Sequence, residues 1–165
     1  MTEKSFKIHW LDEKNVKLSG VLDEHADFSS LFPRFKDEVF VDLAGITAIN
    51  SQGAHAWIKG VQTVSGKIHY RNLSVVITEH ICYNPRLLGF NPELLSFHTL
   101  SYCESCGHEE PVLLTVGKDI KFHVEGGADL LVQIKCKNCS SQTELEPVPE
   151  DYLEYFNEVN SKDVG

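Results

Sequence analysis

Four of the five cysteines form two pairs, Cys103-x2-Cys106 and Cys136-x2-Cys139. A Cys-x2-Cys turn aims two thiolates at one point, and two such turns complete a tetrahedral all-sulphur shell around a zinc ion. Such a shell leaves no position for water or substrate. The chemistry it implies is one structural zinc ion per chain, not catalysis. Two disulfides, or four ordinary buried thiols, are the other uses of these residues. His108 is a conceivable donor, but it lies where the backbone of a cysteine knuckle turns away and is expected to stand aside. Cys82 ends the apolar stretch Val75–Cys82 and reads as a small buried hydrophobe.

A second residue set invites chemistry. Ser51 and His55 are one helical turn apart if the segment is helical, the spacing of a nucleophile and a base. No third, orienting group accompanies them. The phosphate loop Gly-x4-Gly-Lys-Ser/Thr, Gly-x-Gly-x2-Gly, His-Glu-x2-His and Gly-x-Ser-x-Gly are all missing from the sequence. The expectation is therefore a non-enzymatic protein with no catalytic residue.

Charge narrows the partner class. The net charge is −9, carried almost wholly by the C-terminal part: residues 1–98 hold 10 basic and 11 acidic side chains, residues 99–165 hold 5 and 13. Four thiolates and a divalent ion would add about −2 more. A zinc module of that sign repels phosphate backbones, so nucleic acid is not expected as a partner. Protein binding or a purely structural role fits better. MTEKSFKIHW has no apolar core of a secretory signal, and no apolar run approaches the roughly 18–20 residues that span a bilayer. A cytoplasmic protein without membrane insertion is expected, in a compartment that keeps thiols free for metal.

The elements that position these residues follow from periodicity. Lys7–Leu11 and Asn15–Leu22 alternate apolar and polar residues across a short polar link, which predicts an antiparallel pair. Apolar residues at 28, 31, 32 and 35 predict one short helix within Ala26–Phe35, despite Pro33. Val39–Leu43 reads as a buried central strand ended by Ala44-Gly45. Ala54, Trp57, Ile58 and Val61 recur at helical spacing behind a cap at Asn50 or Ser51. Ile68–Asn72 reads as a strand. A helix capped at Asn72 or Ser74 is expected to run to Cys82 or Tyr83. Strands alternating with helices imply an α/β layer with a partly parallel sheet.

Val39–Gly53, read as Val-Phe-Val-Asp-Leu-Ala-Gly-Ile-Thr-Ala-Ile-Asn-Ser-Gln-Gly, resembles the signature of STAS domains. These are the anti-sigma factor antagonist domains also found on sulphate transporters. Leu18–Asp23 is similar to the family's second strand, Gly66–Asn72 to its next strand, and Leu87-Leu88-Gly89-Phe90 to the end of its third helix. The resemblance covers about residues 5–98. It implies a bacterial regulator in signal transduction and transcription, one that binds an anti-sigma factor or another kinase-like ATPase. In that family, phosphorylation of one serine at the start of the second helix releases the partner, and Ser51 matches it. Phosphate there puts about −2 of charge on a docking surface, which Asn50, Gln52 and His55 would share. The family's acid before the serine is Asn50 here, and its following serine is Gln52. Two roles therefore stay open for Ser51, a helix cap alone or a phosphorylatable switch. The other function class is a structural or adaptor subunit of a larger complex, such as a transporter-associated STAS protein.

From residue 96 on, Ser96–Tyr102, Val112–Val116, Leu130–Ile134 and Thr143–Glu146 read as strands, and each of the two cysteine pairs sits on a turn next to a strand. That is a zinc ribbon. The 29 residues between the pairs predict an extended hairpin. Glu150–Val159 reads as a helix with Leu153, Phe156 and Val159 in one stripe, docked on the protein's own core or offered to a partner. The expected organisation is an α/β STAS-like domain with a mixed sheet and packed helices over 1–98, and a small β-rich zinc ribbon inserted over 99–148. A C-terminal helix and tail over 149–165 would return to the first domain.

Overall fold

The structure, a computed structural model, describes residues 5–163. Strands β1 (Lys7–Trp10) and β2 (Asn15–Leu22) form an antiparallel hairpin. Its turn is fixed by Asp12, whose Oδ1 accepts the backbone N–H groups of Lys14 and Asn15, each at 2.8 Å. Strands β3 (Glu38–Ile49), β4 (Lys67–Arg71) and β5 (Pro92–Leu94) then add in parallel, giving the order β1-β2-β3-β4-β5. Each parallel step moves the same way across the sheet. Right-handed crossovers therefore put all the connecting segments on one face. Two of these segments carry the helices α1 (Ser51–Val61) and α2 (Val75–Tyr83). The chain is thus an α/β protein with a mixed sheet.

The core lies between that face and the helices. Val16, Leu18, Val41, Leu43, Ile46 and Ile68 from the sheet meet Trp57, Val61, Ile77 and Ile81 from the helices. Two buried aromatic side chains also satisfy polar groups. Trp57 Nε1–H donates to the Leu87 carbonyl at 2.7 Å, and the Tyr70 hydroxyl donates to the Leu88 carbonyl at 3.0 Å. Both bonds tie the single 3-10 turn Pro85–Leu88 to the core. By resemblance, a helix was expected to end in this turn. Pro85 directly after the α2 C-cap Asn84 cuts the helical path short.

Three further expectations change. Ala26–Phe35 is not a helix but a series of turns ending in the 3-10 turn Phe32–Arg34. Pro33 and the turn built by Asp27 on the Ser29 N–H oppose a longer helix. Its apolar spacing serves an aromatic cluster instead, with Phe28 and Phe32 edge-on to Trp57 at 5.5 and 5.1 Å. Strand β3 does not stop at Ala44-Gly45. It continues to Ile49 by two register shifts against β2. Third, the strand expected over Leu130–Ile134 is confined to β9 (Ala128–Leu130), and residues 131–134 are irregular.

After β5 the chain leaves the first sheet. Strand β6 (Ser96–Tyr102) lies between β7 (Glu109–Thr115) and β10 (Glu144–Glu146) in an antiparallel three-stranded sheet. Strand β8 (Ile120–Phe122) pairs with β9 as a separate hairpin. The start of β6 is stitched to the first sheet. Leu73 bridges to Phe97, and the Asn72 N–H donates to Ser96 Oγ at 2.8 Å. Helix α3 (Tyr152–Asp163) closes the chain. Its buried anchors are Tyr152 and Phe156, whereas Leu153 is half-buried, so the stripe is turned by one residue from the expected one. Tyr152 stands edge-on to Phe122 at 5.0 Å, and Phe122 contacts Phe97 at 5.9 Å. One apolar core therefore runs from the first sheet into the cysteine-bearing part.

Candidate metal centre and the amino end of α1

Two equivalent turns carry the cysteines. The Cys103 N–H donates to the His108 carbonyl at 2.9 Å, and the Cys136 N–H donates to the Ser141 carbonyl at 2.8 Å. Inside each turn a second bond closes a tighter loop. Gly107 N–H donates to the Cys103 carbonyl at 2.7 Å, and Ser140 N–H to the Cys136 carbonyl at 2.9 Å. Both fourth residues take left-handed φ, +77° at Gly107 and +62° at Ser140. The first knuckle meets that demand with glycine and the second does not.

The sulphurs converge. All four Sγ atoms lie within 4.8 Å of one another, with Cys103–Cys139 and Cys106–Cys136 at 3.5 Å. Disulfide sulphurs would sit about 2.05 Å apart, so all four are free thiols. A tetrahedral ion with bonds of about 2.3 Å to sulphur needs sulphurs roughly 3.8 Å apart. The four residues fit one such ion. Cys103 and Cys136 are buried, whereas Cys106 and Cys139 are exposed. The Asn138 N–H points at Cys136 Sγ from 3.4 Å, a bond that favours thiolate. The Ser141 hydroxyl and amide lower the Cys139 thiol, whereas the neighbouring Cys136 sulphur and burial raise that of Cys106.

His108 contributes its carbonyl to the knuckle and turns its ring to Glu110, with Nε2 at 3.5 Å from the carboxylate. Lys137 of the second knuckle reaches the same Glu110 oxygen at 3.5 Å. Glu110 thus links the two turns, a pairing that sequence spacing alone could not reveal. Cys82 differs from its expectation. It is exposed, with its thiol donating to the Thr78 carbonyl at 3.2 Å. Partial burial and nearby carboxylates push it up to about 11, so it is a poor nucleophile.

On the first sheet, Asn50 and not Ser51 caps α1. Its Oδ1 accepts the Gly53 N–H at 2.8 Å, and its Nδ2 donates to Glu24 Oε2 at 2.9 Å. The Asn50 amide holds the Glu24 carboxyl below its usual range. An acid at position 50 would lose this donor and face Glu24 with like charge. Gly53 is dictated by packing, because a Cβ there would lie 2.0 Å from the Leu22 carbonyl oxygen. With the cap supplied by Asn50, Ser51 is exposed and its hydroxyl makes no hydrogen bond to another described residue. Ser51, Gln52 and His55 are all exposed on α1, whereas Gly53, Ala54, Trp57 and Ile58 face the core. Nothing orients His55 toward Ser51 as a base.

Among the described residues, the four cysteines are the one group that could hold a metal ion, and no helix is long and apolar enough to cross a membrane. No protein-family model, curated protein or solved structure matches the chain.

Proposed function

We propose that the chain is a non-enzymatic regulatory protein, STAS-like in its first part, that binds a protein partner through the exposed amino end of α1. The partner class is a kinase-like ATPase of the anti-sigma type or a related regulator, and Ser51 is the residue whose phosphorylation ends the contact. One observation carries this reading. Asn50 takes over the cap, so the Ser51 hydroxyl stands free in solvent at a helix amino terminus, beside Gln52 and His55. A serine that capped the helix would have its hydroxyl engaged by a backbone N–H, as Ser74 does at the start of α2. A free one is available for modification. Phosphate placed there is tolerated by the helix amides and opposes any acidic partner surface. The hairpin followed by parallel strands and one-sided helices supports the resemblance from which the role of Ser51 comes.

The metal in this reading is zinc, held by Cys103, Cys106, Cys136 and Cys139. A closed four-thiolate shell suits zinc as a structural ion, supplying folding energy to strands that have little core of their own. The cytoplasm suits such a set, since its thiols stay reduced.

The test is affinity capture with tagged wild-type protein, Ser51→Ala and Ser51→Glu, read by quantitative mass spectrometry. Wild type and Ser51→Ala should retain one kinase-like ATPase that Ser51→Glu loses. Equal recovery of every partner by all three proteins refutes the role of Ser51.

A further inference from the structure

A groove of about 630 Å³ runs between α2 and the three-stranded sheet that carries the first knuckle. Its apolar surface comes from the half-buried Val75, Leu100, Leu145 and Val148. Tyr83 and Tyr102 line the same groove and are 83% and 44% exposed. Val75, Glu79, Cys82 and Tyr83 form one stripe of α2. On the sheet opposite, Glu144 and Glu109 are the direct cross-strand neighbours of Tyr102, one on either side. Glu146 flanks Leu100 in the next row.

The charges in this groove are all of one sign. Glu79, Glu109, Glu144, Glu146 and Glu150 line it, and no lysine, arginine or histidine does. None of the five is ion-paired with a described residue. Other carboxylates of the molecule are paired: Glu38 and Glu93 with His69, Glu93 with Lys67, Glu110 with Lys137. Unpaired like charges around an apolar trough with two exposed aromatic rings are complementary to one kind of occupant.

We propose that this groove docks a short basic segment of a partner protein, in which lysine or arginine alternates with aliphatic or aromatic residues. The aliphatic side chains would cover the Val75, Leu100 and Leu145 surface. The cations would meet the five glutamates, and arginine would stack on Tyr83 or Tyr102. Nucleic acid and anionic lipid are repelled by the same field. Val75 opens α2 at the carboxyl edge of the parallel strands, the edge at which Ser51 opens α1. A partner seated at Ser51 could therefore reach the groove with one extension. The proposal rests on the reading of the chain as a protein-binding module and adds a second contact with stated chemistry.

The experiment uses the full metal-loaded chain and a fluorescein-labelled dodecapeptide of alternating arginine and leucine, followed by fluorescence anisotropy. Three variants are compared with wild type: Glu144→Lys/Glu146→Lys in the groove, Glu13→Lys/Glu125→Lys with the same charge change outside it, and Tyr83→Ala. The groove double variant should weaken the peptide at least tenfold, the outside pair by less than twofold, and Tyr83→Ala about threefold. Amide shifts on binding should fall on Val75–Tyr83 and Glu144–Glu146. Equal weakening by both double variants, no weakening by either, or shifts elsewhere overturns the proposal. Should the groove double variant lose its metal, Tyr83→Ala, altered at an exposed ring, decides alone. Peptide failure with Ser51-dependent capture intact sinks the groove alone. Groove binding with capture indifferent to Ser51 sinks the α1 reading alone.

Discussion

The two cysteine knuckles share one backbone but not one residue at its strained position. Gly107 has φ +77° and Ser140 has φ +62°. An L-residue in the left-handed region costs about 1–2 kcal/mol. Glycine gives up roughly 0.5–1 kcal/mol more chain entropy on folding. Ser140→Gly should therefore stabilise the second knuckle by about 0.5–1 kcal/mol. With the knuckles folding around the proposed zinc, this gain appears as metal affinity, roughly two- to fivefold at about 1.4 kcal/mol per tenfold. The reverse change tests the same logic. A Cβ on Gly107 would meet no atom within 4 Å, so Gly107→Ala carries only the backbone cost and should weaken the ion by a similar factor. Competition against a colorimetric zinc chelator at fixed pH reads both. If Ser140→Gly weakens the ion, or Gly107→Ala leaves it unchanged, backbone strain does not govern these turns.

Cys136→Ser removes a buried member of the cysteine set proposed to hold zinc, and a structural zinc ion contributes about 10–16 kcal/mol of apparent binding energy. It should abolish stoichiometric zinc by elemental analysis and unfold the β6–β7–β10 sheet in amide exchange; retained zinc at one per chain contradicts the assignment. Asn50→Ala should cost about 1 kcal/mol in denaturant unfolding, the usual value of a lost cap. It should also let the Glu24 pKa, now lowered chiefly by the Asn50 amide, rise in a side-chain NMR titration; an unmoved Glu24 would contradict the hydrogen bond. Deleting residues 150–165 removes Tyr152 and Phe156, each worth about 1.5–3 kcal/mol when fully buried. The melting temperature should fall while zinc stays bound, and an unchanged melting curve would show that α3 does not cover the core.

The sequence made the cysteine set and both main helices legible because each has a strong local signal. Two Cys-x2-Cys pairs, a capped 3.6-residue period behind Asn50 and another behind Ser74 need little tertiary context. The failures have the opposite character. The spacing of Phe28, Leu31, Phe32 and Phe35 looked helical, but Pro33 and tertiary packing on Trp57 turned the same residues into an aromatic cluster. Ala44-Gly45 looked like a strand end. Pairing with β2 carried β3 past it, and Gly45 is there because a Cβ would lie 2.7 Å from that of Ser19. β5 is only three residues, with a proline at its start, too short for any periodicity to show. At the site, the partners of Asn50 and of the second knuckle are 26 or more residues away in sequence, at Glu24 and Glu110, beyond the reach of local spacing.

Ser51 is the proposed point at which a protein partner is held and released. The direct measurement is titration calorimetry of the captured partner against the unmodified protein and against the same protein phosphorylated at Ser51, both with zinc bound. A Ser51 switch gives tight binding to the first and a loss of at least tenfold for the second, with the melting curve of the modified protein unchanged. Equal affinity of the two forms would contradict it and leave Ser51 an exposed hydroxyl without a regulatory role.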